Sequence, residues 1–283
     1  MATIPILIVI FLLIMSLYLT LLLRPKPIKI PVKNRHVFIT GGSSGIGLSL
    51  AHQAASEGAR VTILARDPNK LEQARDSIHL STGVNVNIAI VDVRDFETLK
   101  AVMDEADPID VLVCNQGVYI GGELEFQKME NVKMMVDVNL MGTLNLIKAA
   151  LPRMKNNRKT RGPASIALMS SQAEKKRRPR VMRKIAACSS PMTADEVARK
   201  TLDGIKSGTF LVSCNFLGFL MCLGAADLAP QRSILSAFAE IFAAGFIRFY
   251  AVAFLWRFYE MASRCNTNSS HKRADGIMKN SSN

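Results

Sequence analysis

The sequence is poor in the residues that build metal sites and disulfide frameworks. Its 283 residues include only five cysteines and four histidines, and no two cysteines have the spacing of a CxxC pair. Neither a zinc site nor a disulfide framework is indicated, so we expect reduced, mostly buried thiols. The cysteines are Cys114, Cys188, Cys214, Cys222 and Cys265.

The N-terminal segment lacks charged side chains from Ile4 to Leu23. A run of about 20 apolar residues is what a helix needs to cross a bilayer. A cleaved signal peptide is the rival interpretation, but its basic start, shorter apolar core and small-residue cleavage site are not visible. We therefore predict a membrane anchor over residues 1–24.

Positive charges follow this segment and none precedes it, which favours a cytosolic position for the following domain. They are Arg24, Lys26, Lys29, Lys33 and Arg35. Over the whole chain the net charge is +13. Such a balance suits nucleic acid, an anionic cofactor or the cytosolic face of a bilayer, so composition alone leaves all three open.

Residues 25–35 form a basic linker stiffened by three prolines, and a domain over residues 36–173 follows it. Short β-branched runs alternate there with longer helical stretches. This pattern predicts an α/β fold with a Rossmann-like, doubly wound parallel sheet. The predicted strands are His36–Thr40, Arg60–Ala65, Val86–Val91, Val111–Asn115 and Ser165–Ser170.

The pattern changes at residue 174, where a basic, solvated junction loop over residues 174–192 is predicted. In the next segment, 193–264, Thr193 and Glu196 have the spacing of a capping box at a helix start, and Gly208 supplies a stop. Two apolar stretches follow and predict a hydrophobic segment associated with the membrane, without fixing its topology. The polar tail, 265–283, is predicted to be disordered.

A glycine-rich loop between the first strand and the first helix carries most of the functional information. Glycines permit a sharp turn, and the helix N-terminus beside it offers N–H groups and a positive dipole end to a pyrophosphate. The strand before and the helix after it favour a nucleotide site over a structural turn. The loop reads Thr40-Gly41-Gly42-Ser43-Ser44-Gly45-Ile46-Gly47.

This T-G-x-x-x-G-x-G spacing resembles the classical short-chain dehydrogenase/reductase family. The resemblance implies cofactor contacts from Gly41, Ser43, Ser44, Gly45 and Gly47. It also implies that Asp92 binds the adenine ring and that Asn115-Gln116-Gly117 is a variant of the family's N-A-G turn. Finally, it implies that Asn139 shapes a proton relay and that Ser170 and Ser171 are the catalytic serine pair.

The second strand ends in Leu64-Ala65-Arg66-Asp67. An NAD enzyme of this build usually places an acid there for the ribose 2′-OH, whereas an arginine accommodates a 2′-phosphate. Lys70 lies four residues beyond Arg66, so both cations share one face if the helix has already begun. The alternative is an ordinary solvated helix start. We predict NADPH as the cofactor.

The anchor, the Gly-Gly-Ser-Ser-Gly loop, Ala65-Arg66 and Ser170-Ser-Gln-Ala173 together resemble the 3-ketodihydrosphingosine reductase branch of the family. This resemblance implies NADPH-dependent reduction of 3-ketosphinganine to sphinganine at the cytosolic face of the endoplasmic reticulum membrane. It also implies a long-chain lipid ketone as substrate, which partitions into lipid and explains an anchored enzyme.

The family's chemistry needs a tyrosine to protonate the forming alkoxide and a lysine four residues later to lower the tyrosine's pKa. None of the four tyrosines has a lysine at that spacing, and the stretch after Ser171 is too short for the missing helix, strand and substrate loop. We expect a sheet truncated after the fifth strand, a new edge with exposed apolar surface, weak or absent NADPH binding and no ketone turnover.

Three hypotheses remain open. The first is the family reductase. The second is a catalytically dead, membrane-bound NADPH-binding protein, alone or in a homo- or hetero-oligomer with an intact paralogue. In the third, Lys175–Lys184 binds anionic lipid or nucleic acid, but this basic run lacks interleaved aromatic residues, so no nucleic acid partner is expected.

Overall fold

The structure is a computed structural model. It describes residues 28–122, 124–170 and 192–215, and the isolated positions 11, 14, 15, 18, 218, 219 and 252. Lys29–Gly208 form one compact unit, whereas Met1–Ile28 and Thr209–Asn283 form another. The predicted tail, nearly all of the predicted junction loop and most of the predicted anchor and hydrophobic segment lie outside the described residues.

The unit Lys29–Gly208 contains one parallel five-stranded sheet in the order β3-β2-β1-β4-β5. The predicted Rossmann-like α/β fold is therefore confirmed. The strand order reverses beside β1, so right-handed crossovers place helices on both faces of the sheet. The strands are β1 His36–Thr40, β2 Arg60–Ala65, β3 Asn87–Ile90, β4 Val111–Cys114 and β5 Ser165–Leu168.

The described part of the chain contains six helices. α1 packs against α2 and α6, and α3 packs against α5. A π-helical turn, Asp137–Met141, joins α4 to α5, and a short 3₁₀ turn, Leu124–Phe126, precedes α4. The helices are α1 Gly45–Ser56, α2 Pro68–Thr82, α3 Phe96–Glu105, α4 Met129–Val136, α5 Gly142–Arg161 and α6 Ala194–Ser207.

The first two strands have the predicted bounds, whereas the other three are shorter than predicted by one or two residues. β1 is buried along its whole length, as expected for a central strand covered on both faces. Backbone pairing continues just past β3 and β5, because Val91 N donates to Ala65 O at 3.1 Å and Met169 N to Cys114 O at 2.9 Å. The differences therefore lie where the strands open into loops.

The helix predicted to start at Thr193 is α6. Thr193 Oγ1 accepts from Glu196 N at 3.2 Å, and Thr193 N donates to Glu196 Oε2 at 2.9 Å, which completes the capping box. Gly208 ends the helix with a φ of 61°. At this end Ile30 N donates to Lys206 O at 2.9 Å, and Lys206 Nζ lies 2.7 Å from Glu57 Oε1. The helix after the junction is thus fixed beside the start of the domain.

β5 ends the sheet in the part of the chain that the structure describes. Its residues are only partly buried, and the Leu168 side chain is 60% exposed. Among the described residues β5 is thus an edge of the sheet with an exposed apolar side chain, and the predicted truncation after the fifth strand stays a prediction.

Among the described residues, one helical stretch, Met129–Arg161, has the length and composition to cross a membrane. It comprises α4, the π turn and α5. Leu146, Ala150 and Met154 of α5 belong to the core cluster that also contains residues of β1 and β4. The α5 part of this stretch therefore packs one face into the core of the domain. The described positions 11, 14, 15 and 18 in the predicted anchor are helical.

A buried carboxylate joins three segments at the edge of the sheet opposite the strands' carboxyl ends. The Asp110 side chain is 2% exposed and lies 3.1 Å from Arg35 Nη1 and 2.8 Å from Arg161 Nη2. Its Oδ2 also accepts from His36 N at 2.9 Å. Burial by itself would raise the pKa of this carboxyl, but the hydrogen bonds from Arg161, His36 and Arg35 hold the pKa below its ordinary value.

Replacing Asp110 by Asn should lower the free energy of unfolding by about 3 kcal/mol, because it leaves two guanidinium groups without their carboxylate. A lowered pKa stabilises the fold above about pH 4, and this contribution is lost as the pH falls through the folded-state value. Urea unfolding at several pH values should therefore show that the free energy of unfolding of Asp110→Asn depends less on pH in the acid range than that of the unaltered chain.

Asp76→Asn, at an exposed aspartate 3.8 Å from Arg75 Nε, is the control. It should lower the free energy of unfolding by less than about 0.5 kcal/mol. Equal losses would contradict the role of Asp110.

Candidate nucleotide-binding site

The candidate site lies where the carboxyl ends of β1, β2, β3 and β4 meet at one edge of the sheet. The strand order reverses between β1 and β4, and open α/β sheets bind ligands in the crevice at such a reversal. The loop after β1 approaches the loop after β4 there, because Asn115 Nδ2 donates to Gly41 O at 3.3 Å. The fold thus places the predicted glycine loop at the expected crevice.

The glycine loop contains positions that no other residue fits without strain. Gly41 and Gly45 have φ values of 62° and 57°, in the left-handed region. A Cβ on Gly47 would overlap Gly41 O and would lie 2.5 Å from Asn115 Nδ2. The loop is tied to the next strand by Gly41 N, which donates to Leu64 O at 2.8 Å. The predicted glycines therefore have distinct roles in turning and in close packing.

The N-terminus of α1 differs from those of the helices that follow β2 and β3. Asp67 caps α2 and Asp95 caps α3 with side-chain hydrogen bonds, whereas Ser44 makes no such bond at α1. The first turn of α1 also contains no acidic residue. Its amide N–H groups and positive dipole end therefore suit an anion such as a pyrophosphate.

A buried hydroxyl connects β1 to the loop after β4. Thr40 Oγ1 accepts from Asn115 N at 3.0 Å and from Gln116 N at 3.3 Å. It donates to Val113 O at 3.2 Å or to Gln116 Oε1 at 2.5 Å. Gln116 Nε2 in turn donates to Thr143 Oγ1 of α5 at 2.8 Å. The variant residue of the N-Q-G turn thus links the glycine loop to α5.

The two cations predicted for a 2′-phosphate lie at the end of β2 but do not share a helix face. α2 begins at Pro68, so Arg66 precedes it and the helical spacing to Lys70 does not apply. Lys70 Nζ lies 3.6 Å from Asp67 Oδ2, and Arg66 Nη1 lies 3.9 Å from Asp92 Oδ2. The cause is Asp67, whose side chain accepts from Lys70 N and starts the helix there.

Asp92, predicted to bind adenine, lies in the turn after β3. Arg94 contacts both oxygens of its carboxylate, with Nη2 at 2.7 Å from Oδ2 and Nε at 3.1 Å from Oδ1. The hydrogen bonds from the Arg94 side chain hold the pKa of Asp92 below its ordinary value. Asp92 is therefore an anionic acceptor at neutral pH. Arg94 was not predicted from the sequence; a cation two residues beyond an acid was its only signal.

Asn139 lies in the π turn beside the loop after β4. Its Oδ1 accepts from Val118 N and its Nδ2 donates to Val118 O, both at 2.8 Å. The amide thus fixes this loop as a paired backbone would. Ser170 is exposed just beyond β5, at the same edge of the sheet, and Ser171 lies outside the described residues.

Residues 35–184 match the family model described as short chain dehydrogenase. The chain belongs to this family. Membership explains the parallel sheet and the glycine loop together, and it makes the chain an oxidoreductase by descent, with a nicotinamide cofactor. The predicted family resemblance is confirmed.

Named relatives identify the branch. The chain is 48% identical to 3-dehydrosphinganine reductase TSC10A of Arabidopsis thaliana over 291 residues, covering 85% of this chain and 89% of the relative. It is 43% identical to TSC10B of the same plant, over 89% and 91% of the two chains. The solved L-sorbose reductase from Gluconobacter frateurii, complexed with NADPH and L-sorbose, is 26% identical, with a TM-score of 0.47 over 64% of this chain and 68% of its own.

The aligned stretches are longer than the part of this chain that they cover. The alignment with TSC10A runs over 291 residues but takes up only 85% of the 283 residues here. The alignment with the zebrafish (Danio rerio) 3-dehydrosphinganine reductase runs over 303 residues and takes up 86%. Each relative therefore has several tens of residues within the aligned stretch that this chain lacks.

Replacing Gly47 by Ala should weaken the binding of adenosine 2′,5′-bisphosphate at least about tenfold, because the new Cβ separates the two loops of the site. Gly83→Ala, at the C-terminal cap of α2 and outside the glycine loop, is the matched control, and Gly83 has a left-handed φ of 72°. Its Cβ would meet nothing within 4 Å, so only the left-handed φ costs energy, about 1 kcal/mol. Isothermal titration calorimetry and thermal unfolding measure both effects. Similar binding by the two variants would contradict the close-packing role of Gly47.

Proposed function

We propose that this chain is by descent a reductase that uses NADPH to convert 3-ketosphinganine to sphinganine, an early step of sphingolipid synthesis. The observation that carries the proposal is 48% identity to a 3-dehydrosphinganine reductase across most of both chains. NADPH, when bound, supplies the hydride that adds to the carbonyl carbon. The carbonyl oxygen must then receive a proton from the protein.

The preference for NADPH is supported by the residues at the end of β2. Ala65 stands where an acid for the ribose 2′-OH would be expected, and Arg66 follows it. The Arg66 side chain is about half exposed, and its ion pair with Asp92 is long at 3.9 Å. A phosphate dianion therefore competes well for this guanidinium.

We place the domain at the cytosolic face of the endoplasmic reticulum membrane, with residues 1–24 as the anchor. The uncharged segment Ile4–Leu23 and the basic residues after it support this proposal. A ketone with a long acyl chain partitions into lipid, so an anchored domain meets its substrate at the bilayer surface. The hydrophobic segment within 193–264 adds a second membrane association.

A second candidate function is favoured by the sequence between Ser171 and Thr193. This stretch contains no tyrosine, and the relatives have several tens of residues that the chain lacks. We propose that the missing residues lie between Gln172 and Pro191 and include the Tyr-x-x-x-Lys segment. The polypeptide would then bind NADPH through its adenosine half without delivering a proton, either alone or beside an intact paralogue.

The adenosine half can be tested without turnover. The chain should bind adenosine 2′,5′-bisphosphate at least about tenfold more tightly than 5′-AMP, because a charge-assisted pair with Arg66 contributes about 1.5–3 kcal/mol. Arg66→Ala should remove most of this preference, whereas Lys70→Ala should reduce it by only about twofold, since Lys70 is paired with Asp67. Calorimetry on the full chain in detergent measures both. Equal affinities of the wild-type chain for the two nucleotides would argue against NADPH.

The catalytic half is tested by turnover. If the second candidate is correct, this chain should not oxidise NADPH above background when 3-ketosphinganine is added, because the proton donor would be missing. A chimera carrying the internal segment of TSC10A after Gln172 should gain ketone-dependent oxidation. Turnover by the unaltered chain would contradict the non-catalytic candidate. A chimera that binds nucleotide but does not turn over the ketone would show that more than this segment is lost.

Complementation separates the two candidates in cells. Rescue of a cell lacking 3-ketosphinganine reduction by this chain would support the reductase and contradict the non-catalytic function. Sequencing the transcript across the codons for Gln172 to Pro191 shows whether a Tyr-x-x-x-Lys segment is encoded there.

A further inference from the structure

Arg94 lies beside Asp92, where the adenosine half of the cofactor is expected. It belongs neither to the glycine loop nor to the end of β2, the two segments to which phosphate binding has been assigned. Its backbone is held firmly. Asp95 N donates to Asp92 O at 2.9 Å and closes the turn, and Asp95 then caps α3. Asn145 Nδ2 donates to Val93 O at 3.0 Å, which fixes the middle of the turn. The Arg94 side chain therefore extends from a rigid support.

The contacts within this turn divide unequally between two arginines. Arg94 makes a close fork to the Asp92 carboxylate, with Nη2 at 2.7 Å and Nε at 3.1 Å from Oδ2, and Arg94 N also donates to Oδ1 at 3.0 Å. Arg66 Nη1 approaches the same carboxylate only to 3.9 Å, beyond hydrogen-bond distance. Arg94 therefore binds the Asp92 carboxylate closely, whereas Arg66 interacts with it only weakly.

The net charge of the group formed by Asp92 and the two arginines depends on Arg94. Asp92 with Arg94 and Arg66 carries one net positive charge. Without Arg94, the carboxylate would attract Arg66 into a close pair, and the group would become neutral. An arginine engaged in a close bidentate pair must break that pair before it can bind a phosphate, which lowers the affinity.

We propose that Arg94 is a positioning residue for the cofactor's 2′-phosphate: it occupies the Asp92 carboxylate and so leaves Arg66 able to bind the phosphate. This inference rests on the proposed use of NADPH. It assigns part of the cofactor preference to a residue that lies beyond β3, away from the end of β2. The same contacts from Arg94 also fix the orientation of the Asp92 carboxylate.

The test compares adenosine 2′,5′-bisphosphate with 5′-AMP, which differ only by the 2′-phosphate, so effects on adenine binding cancel in the ratio of their affinities. Arg94→Gln in the full chain should lower this ratio about fivefold. Adding Asp92→Asn should restore it to within about twofold of the wild-type value, because the neutral amide no longer captures Arg66. Arg94→Lys, which keeps a charge but not the fork, should lower the ratio by about twofold.

Arg75→Gln is the matched control, because it removes the same charge from an arginine on α2 that pairs with Glu72; its ratio should not change. An unchanged ratio in Arg94→Gln would overturn the inference while leaving the proposed cofactor intact. A ratio that stays low in the double variant would mean that Arg94 contacts the phosphate itself, which also overturns the positioning role. A wild-type ratio near one would refute the proposed cofactor preference and the inference together.

Discussion

The loop after β1 and the loop after β4 lie against each other because residue 47 has no side chain. A single methyl group there would overlap Gly41 O and crowd Asn115 Nδ2, and backbone atoms in a packed turn have little room to shift. The Thr40 hydroxyl connects the same two loops from beneath. The close approach of these two loops beside the uncapped start of α1 therefore depends on the absence of a side chain at residue 47.

Much of the fold could be predicted from the sequence because its signals are local. β1 and β2 are runs of β-branched and apolar residues between clear turn signals, and the capping box at Thr193 needs only two residues at fixed spacing. Strands β3 to β5 were predicted slightly too long. After β3 and β5 one further residue, Val91 or Met169, still pairs with the neighbouring strand before the chain turns into a loop, and the sequence contains no local mark of that change.

The site was less accessible to sequence reasoning, since its side chains meet across distant segments. Arg66 was selected for its place after β2, but its relation to Lys70 depended on the start of α2, which the Asp67 cap sets. Arg94 was missed because its significance depends on which of the two arginines lies closer to the Asp92 carboxylate in the folded structure. Which side chain binds a shared partner depends on distances in the folded structure, and residue spacing along the sequence does not encode those distances.

The polypeptide enters and leaves this domain at neighbouring residues, since Ile30 N is hydrogen-bonded to Lys206 O. The domain is thus built like an insertion between two hydrophobic segments, with its amino and carboxyl ends at one corner. At this corner α1 packs against α6. A domain of this kind is a natural subject for circular permutation: joining Ile30 to Lys206 through a short linker and opening the chain after β5 would retain every contact of the glycine loop.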